Sequence, residues 1–146
     1  MDIAKVMIAA FSATNIMTTF SYLISIHYGK LFKEPVLLNY ALYGLGIKLH
    51  GAWSKFGGWF AHYIIGLMFV FSYQLVWLST DIEFGWLSGI AFGVVSGAVG
   101  ILGWKLIYML PDKKPAAPLG DYFLQLFLAH VLFAVAVVAA FKLYDL

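Results

Sequence analysis

Four long apolar stretches, separated by shorter polar segments, set the layout of the chain, at 6–26, 59–77, 86–104 and 122–141. Each is long enough to cross roughly 30 Å of hydrocarbon as a helix rising about 1.5 Å per residue. The pattern predicts an all-α fold: an integral membrane bundle of four transmembrane helices forming one domain over 1–146. Trp59 and Trp77 lie 18 residues apart, as do Trp86 and Trp104. That is roughly 27 Å of helix, so each pair is expected to mark the two interfaces of one crossing. All four prolines (Pro35, Pro111, Pro115, Pro118) fall in the connections 29–58 and 105–121. The connection 78–85 is short and predicts a tight antiparallel hairpin of the second and third spans. Within 29–58, Pro35 and Gly44 bracket an apolar run that reads as a short helix over 35–44. It is too short to span and too apolar for water, so it is expected in the membrane interface.

Composition agrees with lipid as the solvent. The chain is 63% hydrophobic and 11% charged, with mean hydropathy +0.90, more apolar surface than a small soluble domain can hide. Net charge is +2, from nine lysines and no arginine. That balance is too weak and scattered for a nucleic-acid partner, and it removes the guanidinium forks that grip carboxylate or phosphate. The lack of cysteine excludes disulfides, thiol catalysis and thiolate metal sites. The first apolar run is too long for a signal peptide and Ser12-Ala13-Thr14 is a poor cleavage site, so it reads as a retained span. Lys30, Lys33, Lys48, Lys55, Lys105, Lys113 and Lys114 lie on the side of the long connections, against Lys5 and Lys142 opposite. The bias puts the long connections in the cytoplasm and both termini outside, in a prokaryotic inner membrane. No inverted repeat suggests a transporter built from two halves.

Polar and small residues in the spans are the candidates for chemistry. In the third span Gly85, Gly89, Gly93 and Gly97 recur every four residues, a glycine zipper that lets a neighbouring backbone approach. Packing within the monomer and a homodimer seam are the two roles such a groove can take. In the first span Thr14, Thr18, Ser21 and Ser25 share one face with Tyr22 alongside. They serve either as hydroxyl contacts between helices or as the polar wall of a cavity. Asn15, near mid-membrane, needs partners for its amide.

In the second span Gly58, Trp59, Ala61, His62, Gly66, Phe69 and Tyr73 form a stripe. It resembles one found in small uncharacterised prokaryotic four-helix integral membrane proteins. The resemblance implies the four-helix layout and carries no activity with it.

Ionisable groups inside a membrane are costly and mark functional candidates. His62 lies about one turn into the second span and His130 about two turns into the fourth; His27 and His50 are interfacial. His62, Tyr73, Asn15, Thr18, Tyr22 and His130 are the candidate lining of a ligand site or polar cavity. His27, His50 and His62 are the candidates for a metal. No Asp or Glu falls inside any of the four stretches, which argues against a carboxylate proton relay, and no residue is assigned a catalytic role. The leading expectation is a non-enzymatic bundle without a cofactor that binds or passes an apolar or neutral ligand, or supports a membrane complex. One alternative is a b-type haem or quinone-linked redox protein using His62 and His130, which differ in depth by about a turn when counted from the span starts. A histidine site or transporter for a divalent metal is the other.

Overall fold

The computed structural model describes residues 2–109 and 119–144, which are all-helical apart from their connections. In chain order the elements are α1 (Ile3–Tyr28), α2 (Glu34–Gly44), α3 (Trp53–Ser79), α4 (Trp86–Met109) and α5 (Leu119–Tyr144). α1, α3, α4 and α5 are long and apolar enough to cross a membrane. Pro111, Lys113, Lys114, Pro115 and Pro118 lie outside the described residues.

The four long helices overrun their apolar stretches, because a helix continues until a cap or a breaker stops it. α1 starts where the Asp2 carboxylate accepts the Ala4 N–H at 2.9 Å and the Lys5 N–H at 3.4 Å. It stops at Gly29, whose φ of 61° lets the Lys30 N–H turn back to the Ser25 carbonyl at 3.2 Å. α3 begins six residues before its apolar stretch, at Trp53, and this shift matters for the site below.

α5 holds the centre, packed on α1 along one side and on α4 along the other; α3 packs on α1, and α2 braces the start of α3. α2 is anchored by Asn39, whose Oδ1 accepts the Gly58 N–H at 2.7 Å and whose Nδ2 donates to the Lys55 carbonyl at 3.1 Å. It buries Glu34, Pro35, Leu37, Leu38 and Ala41.

The expected tight hairpin of α3 and α4 is not what forms. α4 turns its glycines to α5 instead. A Cβ on Gly89 would meet Val138 Cγ2 at 2.5 Å, one on Gly93 the Val131 Cα at 2.6 Å, and one on Gly97 the Phe127 ring at 2.8 Å. Gly85 precedes the helix and a Cβ there would meet nothing within 4 Å. α5 of the same chain therefore fills the groove, and self-association through α4 would use its other face. Toward α3, α4 presents larger groups. Tyr73 donates its hydroxyl to Ser96 Oγ at 2.7 Å, Trp77 donates Nε1–H to Ser88 Oγ at 3.0 Å, and Phe92 stacks on Tyr73 at 5.1 Å. These rings hold the two backbones apart near the connection.

The tryptophans also depart from expectation. Trp86 is half-exposed, but Trp104 is buried against Tyr108 and Tyr122, and Trp77 packs among Phe84, Phe92 and Phe141. Trp104 therefore turns into the bundle rather than toward lipid.

Candidate functional site

The polar face of α1 is the base on which the site is built. Thr14, Thr18, Ser21 and Ser25 are all buried, as their spacing along one helix face requires. Thr18 donates its hydroxyl to the Thr14 carbonyl at 2.7 Å and lies 3.0 Å from His62 Nε2 on α3. With its only proton given to the carbonyl, Thr18 accepts from the imidazole, so the neutral ring carries its proton on Nε2 and keeps Nδ1 as an acceptor. On α5, His130 Nδ1 lies 2.8 Å from the Leu126 carbonyl. A carbonyl only accepts, so Nδ1 carries the proton and Nε2 is the acceptor. Neither acceptor nitrogen has a hydrogen-bond partner among the described residues.

His62 and His130 line the same cavity. His62 lies nine residues after the start of α3 and His130 eleven after the start of α5, an offset of two residues where the apolar stretches gave five.

A buried carboxylate completes the cluster, and it comes from α2, outside the four acid-free stretches. Glu34, in the first turn of α2, is 1% exposed. Its Oε1 accepts from Ser21 Oγ on α1 at 2.6 Å and from Gln125 Nε2 on α5 at 3.2 Å; Gln125 Nε2 also donates to Ser21 Oγ at 2.6 Å. Its Oε2 has no partner among the described residues. Burial raises the Glu34 carboxyl to about 7, against the opposing pull of its hydrogen bonds from Ser21, its own backbone and Gln125. No lysine pairs with it among the described residues: Lys30 is ion-paired to Asp121, and Lys33 sits over the Tyr22 ring at 4.9 Å.

Glu34, His62, His130 and Thr14 share one cavity of about 200 Å³. Thr14 Oγ1 also lacks a partner among the described residues. The rest of the wall is apolar or aromatic and includes Met17, Phe69, Trp104 and Phe133. The cavity lies beyond the ring layer that separates α3 from α4, and its lining reaches the outside of the bundle between Ile65 and Val99, 39% and 50% exposed. Two glycines of α4 shape it. The His130 ring rests on Gly100, where a Cβ would come within 2.9 Å of it, whereas a Cβ on Gly103 would meet nothing within 4 Å. The missing side chains are what give the imidazole and the cavity their space.

Of the expected site residues, His62, His130 and Thr18 come together. Tyr73 is spent on Ser96, one layer away. Asn15 donates to the Phe11 carbonyl at 2.8 Å and accepts from the Tyr63 hydroxyl at 2.9 Å, tying α1 to α3 outside the cavity. Tyr22 lies against Trp59 at 5.9 Å. His27 and His50 are exposed and do not line the cavity. Among the described residues no three His, Cys, Asp or Glu side chains are grouped to hold a metal ion. A haem does not fit between His62 and His130 as they stand. The space is below the ~300–1,000 Å³ of sites for drug-sized ligands, and His62 Nε2 already faces Thr18.

Sequence reasoning missed Glu34, Gln125 and Gly103. The available signal was Gln125, a long polar side chain near the start of an otherwise apolar helix, on the same side of the bundle as Ser21. No protein-family model, curated protein or solved structure matches the chain.

Proposed function

We propose that this protein is a small membrane bundle that binds a mainly apolar molecule carrying one polar group, taken up between α3 and α4. The observation that supports this most is the cavity itself: aromatic and aliphatic walls, a few converging polar groups, and exposed Ile65 and Val99 at its edge. Such a site suits binding or passage of a ligand. The hydroxyls that meet a possible base, Thr18 at His62 and Ser21 at Glu34, do not line the cavity, so we read it as non-enzymatic.

Gly103→Leu tests the proposal. The new side chain points into space where a Cβ meets nothing within 4 Å, and it removes a helix penalty of about 1 kcal/mol. The variant is expected to fold at least as stably as the wild type and to bind 2-phenylethanol at least about tenfold more weakly by calorimetry in detergent. Equal binding by the two proteins means that the cavity is not the site.

In the same proposal, the long connections lie in the cytoplasm, both termini lie outside, and α2 rests near the cytoplasmic interface. The resemblance to small prokaryotic four-helix membrane proteins fits that arrangement. The chain has no cysteine, so single replacements report cleanly. Cysteine at Lys48 should react with an impermeant maleimide only from the cytoplasm, and cysteine at Asp81 only from outside. Reaction at Asp81 from the cytoplasm reverses the orientation.

A further inference from the structure

We infer that the cavity is a site for a small lipophilic ammonium ion, held with its N–H groups on Glu34 Oε2 and the two imidazoles and bound in exchange for the Glu34 proton. This rests on the cavity being the binding site, and it names the ligand class.

The hydrogen-bond inventory points to a donor-rich ligand. Glu34 Oε2 is buried with no partner among the described residues. His62 Nδ1 and His130 Nε2 are acceptors by the bonds their other nitrogens make. Three acceptors on three helices line one cavity, and an alkylammonium presents two or three donors from a single nitrogen. A carbonyl ligand such as a quinone brings only acceptors and would leave these groups opposed. Charge points the same way. A buried carboxylate is stable when neutral or when paired with a cation, and no lysine of the described chain serves Glu34. The walls suit the rest of such a molecule: Phe69, Trp104 and Phe133 offer ring faces and edges to an aryl or alkyl group and to the cation.

The exchange balances as R–NH3+ plus Glu34–COOH giving the ion pair plus H+. The other titratable groups facing Glu34 are Tyr22 on α1, His62 on α3, and Tyr122 and His130 on α5; Tyr108 of α4 stands behind Tyr122. With His62 and His130 accepting through Nδ1 and Nε2, and the tyrosines never cationic, none of these groups replaces the ammonium. Gln125, bonded to Glu34 Oε1, also lines a second cavity of about 310 Å³ with the partly exposed pair Lys30 and Asp121.

Because the Glu34 carboxyl is raised to about 7, protonation competes with the cation below that pH. Affinity for the amine should rise with pH, about tenfold per unit up to 7, and then level off.

The probes are 2-phenylethylamine, a cation up to a pH of about 10, and the neutral 2-phenylethanol of the same shape, titrated into the full chain in detergent. Wild type is expected to bind the amine about 50-fold more tightly near pH 7 than near pH 5. It should release a proton on binding below pH 7 and bind the alcohol equally at both pH values. Glu34→Gln keeps the hydrogen bond from Ser21 and is expected to lose the amine while retaining the alcohol. If Glu34→Gln does not fold, proton release by the wild type decides alone. Amine binding without pH dependence or proton release, or amine binding that survives Glu34→Gln, overturns the ammonium site and leaves the cavity standing. Failure of both probes to bind wild type, or insensitivity of both to Gly103→Leu, overturns the cavity as well.

Discussion

Gly93→Leu is expected to remove most of the stability of the bundle. A Cβ at this position would stand 2.6 Å from the Val131 Cα and 3.2 Å from the His130 carbonyl oxygen. Both neighbours are backbone atoms of α5, which cannot rotate aside as a side chain would. Overpacking a core costs typically 1–3 kcal/mol when side chains absorb it. Here α4 has to translate away from α5, so the cost should lie above ~3 kcal/mol. Val95 sits on the same helix, 61% exposed, and Val95→Leu should change stability by less than ~0.5 kcal/mol. Denaturant unfolding of the two variants in the same detergent makes the comparison. Matching midpoints for Gly93→Leu and Val95→Leu would show that the α4–α5 seam does not depend on the absent side chain.

The contrast between Gly93 and Glu34 shows what the sequence could and could not say. Glycine at a four-residue repeat is a local statement about one helix surface, so the close approach was legible although its partner was not. The hydroxyl face of α1 was legible for the same reason: Thr14, Thr18, Ser21 and Ser25 define one side whatever stands opposite. His62 stood out because an ionisable group in an apolar stretch has to be accommodated somewhere. Its meeting with His130 in one cavity did not, since spacing along two separate helices does not say which faces turn to each other. Glu34 was hidden more deeply. An acid just before a proline in a connection reads as an ordinary first-turn residue, with water or headgroups for company. Only the docking of α2 against α3 turns that carboxylate inward to Ser21 and Gln125, residues 13 and 91 positions away along the chain. The splayed α3–α4 pair is also a property of the whole. A short connection brings two helix ends together, but Tyr73, Trp77 and Phe92 fill the space between them, and the glycines of α4 give α5 the closer approach.

That docking rests on one close approach of two backbones, at Gly58. Its N–H donates to Asn39 Oδ1 at 2.7 Å. A Cβ there would collide with the Pro35 carbonyl oxygen and come within 2.9 Å of the Asn39 backbone nitrogen. Gly58→Val is therefore expected to lift α2 off α3, at a cost of ~3 kcal/mol or more to the docked state. The α1–α5 and α4–α5 seams do not use Gly58, so the four long helices should stay assembled. Because Glu34 opens α2, lifting the helix withdraws its carboxylate from Ser21, Gln125 and the cavity wall. Two readouts should then move together. Amide hydrogen exchange should accelerate at Leu37, Leu38 and Ala41, which are buried only while α2 is docked, and remain slow at Phe133 and Val137 in α5. Binding of 2-phenylethylamine should fall as it does in Glu34→Gln, although Gly58 itself is absent from the cavity lining. If the α2 amides of Gly58→Val exchange as slowly as those of wild type, α2 is held by something other than this contact. The position of Glu34 in the cavity wall then does not depend on Gly58.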